Sequence, residues 1–231
     1  HMSKTTIPTG GITADAIDGT LIADDAINSE HYTDGSIDTA HIGDSQVTAA
    51  KTSGVGGRGT ILNTTTVSSA VSNVDMTDVM SDTYDNYLLV IHNGIVATDA
   101  ADIRMTFFSG SGTGGHIAST DEYRYAYQQI ISDGTFNNSS SAGQVYFRPN
   151  RSGVGNAADE TFNGEFHFFN FRSSSRSKLI YGKLAHTSTS GQAIGTRSVG
   201  IIKPTAAITG LRFELSSGNI AGGTFKLYGM E

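Results

Sequence analysis

The sequence predicts an all-β protein in two parts, an N-terminal shaft built from short repeats and a C-terminal β-sandwich. Residues 7–47 place one apolar side chain at every fifth position. After residue 59 the chain changes to short β-branched and aromatic runs without a helical stripe, and its 28 glycines indicate many turns. Residues 52–59 form a glycine-rich joint, so we predict domains at 1–58 and 59–231.

The repeat of the shaft fits neither a strand nor a helix. A step of five residues moves a side chain to the opposite face of a strand and by about 140° around a helix. A fixed short period therefore indicates a repeat architecture. A ten-residue period lies beneath it, because Asp24, Asp34 and Asp44 each follow an alternate apolar position by two residues. The nine repeat positions are Ile7, Ile12, Ile17, Ile22, Ile27, Tyr32, Ile37, Ile42 and Val47.

A single copy of this shaft does not bury enough to fold. Burying one apolar side chain contributes about 2 kcal/mol to the free energy of folding. Ordering the backbone of the five residues in its repeat costs at least about 5 kcal/mol of conformational entropy. A single-chain pentapeptide β-helix would also turn Asp15, Asp25 and Glu30 inward as unpaired carboxylates. We therefore predict a parallel homotrimer with the nine repeat side chains on its axis, since three branched side chains close a layer without a pore.

The second part contains about ten candidate strands separated by turn-rich segments. Segments 109–116, 132–143 and 186–195 are rich in Gly, Ser, Thr and Asn and are predicted to be turns and loops. Many short strands without alternating helices favour a β-sandwich of jelly-roll type as the tip domain. The candidate strands are 61–67, 86–93, 102–109, 121–131, 144–149, 161–171, 178–186, 197–203, 210–217 and 223–229.

The charge distribution divides the chain at the same place and excludes some functions. Residues 5–50 hold eight acidic and no Lys or Arg residues, and the remainder holds 15 basic and 14 acidic residues. Neither part has the basic patch that nucleic acid requires. Without cysteine there is no disulfide framework. No signal peptide and no apolar run of membrane-spanning length is found, so we expect no membrane insertion.

Three segments carry a resemblance to structural proteins of tailed bacteriophages, particularly tail-fibre proteins of marine phages. "DGSIDTAHIGDSQVTAAK" (34–51) resembles their short shaft repeats, although acids and histidines stand here where Lys is frequent. "DTYDNYLLVIHNG" (82–94) and "ITGLRFELSSGNIAGGTFKLYGM" (208–230) resemble the start and end of fibre-tip domains. The resemblance implies a trimeric fibre in the virion, assembled in the host cytoplasm with other virion proteins, whose tip recognises the host.

Candidate receptor-binding residues lie in the second part. Tyr123, Tyr125 and Tyr127 alternate along one predicted strand and share one face. If exposed, they form a platform for sugar rings, and if buried they belong to the core. Arg148 and Arg151 lie in the polar turn "YFRPNRSG" and are candidate donors to sugar hydroxyls or carboxylates.

Other motifs give weaker indications of chemistry. Gly110, Gly112 and Gly115 match a dinucleotide-loop spacing, but the following segment alternates like a strand, so a hairpin loop is favoured. The adjacent acids at 121–122 and 159–160 point to opposite faces of a strand and form no glycosidase couple by themselves. Rings of His31 and His41, or of Asp24, Asp34 and Asp44, would offer metal ligands in a trimer, against an ordinary solvated surface. We assign no metal, cofactor or catalytic residue.

The sequence thus leads to three hypotheses about function. The first is a non-enzymatic phage fibre whose C-terminal domain recognises a host-surface receptor, a glycan or another envelope component. The second is a purely architectural virion fibre or adaptor of the capsid or tail. The third is a tip that degrades surface polysaccharide.

Overall fold

The chain forms two compact units, His1–Val55 and Gly56–Glu231. The computed structural model describes residues 7, 8, 10–13, 16, 17, 20, 22, 26, 27, 29–37, 39–43, 47 and 59–230. Residues 52–58, which hold most of the predicted glycine-rich joint and the last residue of the predicted first domain, lie outside these residues.

The described residues form strands, turns and two short 3-10 helices, with no α-helix among them. The predicted all-β class is therefore confirmed, and all strand pairs in the sheets are antiparallel. The strands are β1 (Thr60–Val67), β2 (Asn73–Met76), β3 (Asn86–Val96), β4 (Ile103–Phe108), β5 (His116–Ile117), β6 (Tyr123–Ile131), β7 (Phe136–Gln144), β8 (Phe162–Phe169), β9 (Lys178–Thr187), β10 (Ala193–Ile202), β11 (Gly210–Leu215) and β12 (Ile220–Met230).

The described part of the N-terminal unit is built from turns that recur with the repeat. In each turn the carbonyl acceptor follows an apolar repeat position by one residue and the N–H donor follows it by four. Gly10 and Gly35 occupy the third position of their turns with φ of +86° and +79°, where a Cβ would be strained. The bonds run from Gly11 N to Pro8 O (2.8 Å), from Ala16 N to Thr13 O (3.2 Å) and from Ser36 N to Thr33 O (2.9 Å).

The ten-residue period also has a structural counterpart. The 3-10 helices η1 (Ser29–His31) and η2 (Thr39–His41) start two residues after Ile27 and Ile37 and are ten residues apart. The repeat between them contains the Gly35 turn instead. Alternate repeats therefore close by different kinds of turn in this stretch.

Two sheets make up the C-terminal unit. The large sheet has the strand order β1-β12-β3-β8-β9-β10-β6-β7, and the small sheet has the order β2-β11-β4-β5. The chain passes from one sheet to the other between β1 and β2, β2 and β3, and β3 and β4. It crosses again between β5 and β6, between β10 and β11, and between β11 and β12, so the last strands pair with the first.

Three strands were not predicted from the sequence, and one predicted strand is absent. β7 lies in the predicted turn segment 132–143, and its polar sequence pairs with β6 at the edge of the large sheet. The short strands β2 and β5 each pair with a neighbour in the small sheet. The predicted strand 144–149 forms only the isolated bridge of Phe147 with Met105.

The core lies between the two sheets. Strands such as β6, β9 and β10 alternate buried and exposed residues, which places one face of the large sheet against the core. Phenylalanine rings of both sheets meet there and account for most of its largest buried side chains. Their centroid separations are 5.7 Å for Phe162 and Phe213, 5.5 Å for Phe107 and Phe168, and 4.9 Å for Phe213 and Phe225.

Residues 145–155, here called the covering segment, close the inner face of β6, β9 and β10. Phe147 exchanges two backbone hydrogen bonds of 2.9 Å with Met105 of the small sheet. Its ring meets that of Tyr125 at 6.0 Å, edge to face. At Gly200 of β10 a Cβ would lie 2.5 Å from the Phe147 ring, so this strand needs glycine for the close approach.

Candidate functional site

The three tyrosines that were predicted to share one face of a strand belong to the core. Tyr123, Tyr125 and Tyr127 of β6 are buried, with at most 6 % of each residue exposed. The Tyr123 hydroxyl donates to the carbonyl of Ile117 at 2.7 Å, and burial raises the pKa of this tyrosine. The covering segment packs on the Tyr125 ring. The exposed-platform alternative is therefore corrected, because buried rings offer no face to a sugar.

The two arginine candidates have different environments. Arg148 donates from Nη1 to Asp102 at 3.1 Å and from Nη2 to the Tyr127 hydroxyl at 3.2 Å. Burial raises the pKa of Asp102, and the Arg148 guanidinium opposes this effect. Arg148 thus ties the covering segment to β6. Arg151 is exposed on the same segment, and its receptor role stays a prediction.

A buried polar cluster anchors the rest of the covering segment. Asn150 accepts the N–H of Ile103 at 3.0 Å and donates to the Ser152 carbonyl at 2.9 Å. His186 of β9 donates from Nε2 to the same carbonyl at 2.9 Å. Burial lowers the pKa of His186 to about 4, so its imidazole is neutral at neutral pH. These side chains satisfy backbone groups, and we assign them a structural role.

The two pairs of adjacent acidic residues, 121–122 and 159–160, have local structural roles where their contacts are described. Each engaged carboxylate binds a backbone N–H or a lysine near its own loop rather than the other member of its pair. Asp159 is exposed. The contacts are Asp121 with Lys203, Glu122 with the N–H of Ser119, and Glu160 with the N–H of Ala157 at 2.7 Å.

The glycine-rich segment 109–115 closes the hairpin of β4 and β5. Gly110 donates to the carbonyl of Gly114 at 3.0 Å, and Asp78 accepts the N–H of Gly112 at 2.8 Å. The next elements are the strands β5 and β6. The helix that a dinucleotide loop requires does not follow, so the hairpin interpretation holds.

In the single chain, the apolar residues of the shaft are exposed at every repeat position. All nine repeat side chains are between 37 % and 62 % exposed. His31 and His41 end η1 and η2, and Asp34 lies in a turn, whereas Asp24 and Asp44 lie outside the described residues. Within the described part of one chain, no group of three metal-binding side chains comes together. Rings that need several copies stay a prediction.

The outer face of β7, β6, β10 and β9 carries an ordered grid of side chains that sequence reasoning missed. The strand registers align two rows across it, because every second residue of each strand points outward. The first row is polar and basic, and the second is largely apolar with an aromatic end. The rows are Asn138, Gln128, Arg197, Lys183 and Ser140, Ala126, Val199, Tyr181.

All residues of these two rows except Lys183 line an open groove of about 560 Å³, and Lys183 lies beside the groove, paired with Arg197. Val199 is 52 % exposed at its centre, and Tyr181 is half-buried at its side. The volume lies within the range of about 300–1,000 Å³ that is usual for small-ligand sites. In segments 124–130 and 197–201, every second side chain points away from the face that carries the tyrosines. The alternation of polar and apolar residues among these outward side chains was the signal for the groove in the sequence.

The sheet face that carries the groove has one sign of charge. Arg124, Lys183 and Arg197 point outward from these four strands, and none of the described outward residues on them is acidic. Arg197 lies directly between Gln128 and Lys183 in the register. Like charges directly opposite in a sheet are destabilising. Glu165 of β8 lies on the other side of Lys183 and offsets part of this repulsion.

Comparison with known proteins leaves the function to be argued from the chain itself. No family model, no curated protein and no solved structure matches the sequence. Among the described residues, no helix has the length and apolar character needed to cross a membrane. The repeat, the two-sheet unit and the outer groove are therefore the features on which a function can rest.

Proposed function

We propose that this chain is a non-enzymatic fibre protein of a tailed bacteriophage, and that its C-terminal unit recognises a carbohydrate receptor on the host surface. The observation that carries the proposal is the exposed apolar series of the shaft. Nine side chains at five-residue spacing remain at least 37 % exposed in one chain. Such a regular series of exposed apolar side chains indicates an interaction site. Parallel copies of the chain cover it, which makes a fibre.

Three copies suit the shaft for a geometric reason. The repeat puts only one apolar residue between turns, so each axial layer receives one side chain from each copy. Three Ile side chains fill such a layer, while the acidic turn residues remain in water and keep neighbouring fibres apart. The resemblance of 34–51 to phage-fibre repeats is consistent with this arrangement.

The strand order supports a jelly-roll interpretation of the C-terminal unit. Four neighbouring strands of the large sheet have the order β1-β12-β3-β8, and they face the small sheet, whose order is β2-β11-β4-β5. This interleaving of first and last strands is that of two nested Greek keys. The strands β6, β7, β9 and β10 are then additions that widen the large sheet beyond β8.

Receptor recognition follows from the fibre form. Three equal sites on one axis convert weak contacts into firm attachment, because the second and third contacts form at a high effective concentration. The C-terminal unit is nearly neutral, so an anionic envelope neither repels it nor holds it indiscriminately. Its outer groove offers amides, hydroxyls and an aromatic ring, which are the groups that bind sugars.

Adsorption competition tests the proposal. Fluorescently labelled protein is incubated with a panel of marine bacterial isolates, and phages that infect the labelled isolates are then added. We expect the protein to label some isolates and to slow phage adsorption to them. Labelling of no isolate, or labelling without competition, would favour the architectural role instead. Release of new reducing ends from the cell polysaccharide would favour the enzymatic alternative.

A further inference from the structure

The groove on the outer face of β7, β6, β10 and β9 has a composition that selects its ligand. One of its two rows supplies hydrogen-bonding amides and the guanidinium of Arg197, and the other supplies Val199 and the ring of Tyr181. Sugar rings combine an apolar face with hydroxyls at the rim, so they match an apolar row beside a polar one. The arrangement therefore fits a saccharide lying across the strands.

The basic residues of this face favour a ligand that carries negative charge. Arg197 and Lys183 are directly opposite each other on β10 and β9. An anionic group between them would replace repulsion by two charge-assisted hydrogen bonds. The planar guanidinium of Arg197 matches a carboxylate with two parallel bonds. A carboxylate carries a single charge and loses less hydration on binding than a phosphate dianion.

A second copy of the same face is a poorer occupant. Pairing two such faces would bring Arg124, Arg197 and Lys183 of one chain against the same residues of another. The described outward positions of these four strands provide no acid to compensate them. Like-charge juxtaposition across an interface opposes association.

We propose that this groove binds a saccharide whose sugar rings carry carboxylates, with Arg197 and Lys183 holding the carboxylate and Tyr181 stacking on a ring. The inference rests on the receptor role proposed above and names the chemical class of that receptor. Four strands span about 14 Å between the outer strand axes, which allows the groove to hold more than one sugar ring. Glu165 beside Lys183 leaves Arg197 as the principal contact.

Binding of oligogalacturonate to the 231-residue protein tests the site directly. The same oligosaccharide with its carboxylates reduced to alcohols serves as the neutral counterpart, and titration calorimetry measures both. We expect the charged form to bind at least about tenfold more tightly, with affinity falling as salt rises. Equal affinity for the two forms would overturn the proposal.

Matched variants locate the binding on the groove. Arg197→Gln is expected to lower the affinity for oligogalacturonate at least about tenfold, whereas Arg176→Gln, an exposed arginine in the loop between β8 and β9, should leave it unchanged. Val199→Glu places a carboxylate in the groove and should also abolish binding. All variants are checked for an unchanged melting temperature. Unchanged affinity in both Arg197→Gln and Val199→Glu would show that the groove is not the site.

The cell assay separates this inference from the proposed function. If Arg197→Gln protein labels cells and competes with phage as the wild type does, the groove proposal fails and the receptor role stands. If wild-type protein binds oligogalacturonate through Arg197 but labels no cells, the saccharide site stands and the receptor role fails. Loss of both cell labelling and oligogalacturonate binding in Arg197→Gln supports the two together.

Discussion

The two units of the chain differ in how they bury apolar side chains. In the C-terminal unit most of the large apolar residues of both sheets meet in one core, and rings such as Phe166 and Phe213 are fully buried within a single chain. In the shaft, every repeat side chain is exposed. The C-terminal unit thus buries most of its large apolar side chains within one chain, whereas the N-terminal unit leaves its apolar series exposed. We propose that other copies of the chain cover that series.

The difference follows from the sequence period. A period of two residues supplies an apolar face to most of the strands, and two such faces bury each other. A period of five residues supplies one side chain per turn, and the intervening residues form the turn itself. This lower density of apolar residues is the reason for proposing an intermolecular core in the N-terminal unit.

Ile37→Asp is expected to have the largest effect on the shaft. In a trimer it places three carboxylates in one apolar layer, at several kcal/mol each. We expect faster proteolysis within residues 7–47 and a shift of mass toward the monomer, while circular dichroism of the C-terminal unit is unchanged. The control is Ser36→Asp, which adds the same charge one residue away from the repeat position. Equal behaviour of the two variants would show that Ile37 is not axial.

Phe213→Ala tests the self-sufficient core of the other unit. The ring contacts Phe162 and Phe225, so its removal leaves a cavity and should lower the free energy of unfolding by about 3–5 kcal/mol. Phe136→Ala removes the same ring from a site that is 65 % exposed and should change it by less than about 0.5 kcal/mol. Denaturant unfolding of the C-terminal unit measures both. Similar losses for the two would contradict the burial pattern.

Acid should weaken the C-terminal unit through His186. Burial lowers its pKa to about 4, below the value of 6.5 expected in the unfolded chain. The unfolded chain therefore binds the proton first as pH falls. This contribution to the free energy of unfolding is complete above about pH 6.5 and declines toward pH 4 by about 1.4 kcal/mol per pH unit. Unfolding of wild type and His186→Gln at several pH values measures it, and parallel pH profiles would contradict it.

The smallest effect is expected from alanine substitutions at two glycine turns, one in each unit. Gly35 and Gly134 have φ of +79° and +89°, and a Cβ at either position meets nothing within 4 Å. Substitution by alanine therefore introduces backbone strain alone, about 1 kcal/mol per chain. Gly35→Ala should lower the melting of the shaft and Gly134→Ala that of the C-terminal unit, as followed by calorimetry. An effect of either substitution on the other unit's transition would show that the units do not melt independently.

Strands with alternating apolar residues were predictable from the sequence, and strands defined by pairing alone were not. β3, β8 and β9 carry β-branched and aromatic residues and were found close to their observed bounds. β7 was missed because an edge strand of Asn and Ser needs only backbone bonds to its neighbour. Its pairing with β6 creates one wall of the groove.

The binding candidates show the same limit. Alternation placed the three tyrosines of β6 on one face, but whether that face is buried depends on the covering segment, which comes later in the chain. The outward residue Arg197 belongs to a row that exists only when four strands are in register. Register of this kind is a long-range property that local sequence patterns do not contain.

The mass of the protein in solution tests the central claim most directly. Multi-angle light scattering at micromolar concentration should give about 73 kDa, three times the 24.3 kDa of one chain. A mass near 24.3 kDa would contradict the account, because the apolar series of the shaft would then remain uncovered in the stable form of the protein.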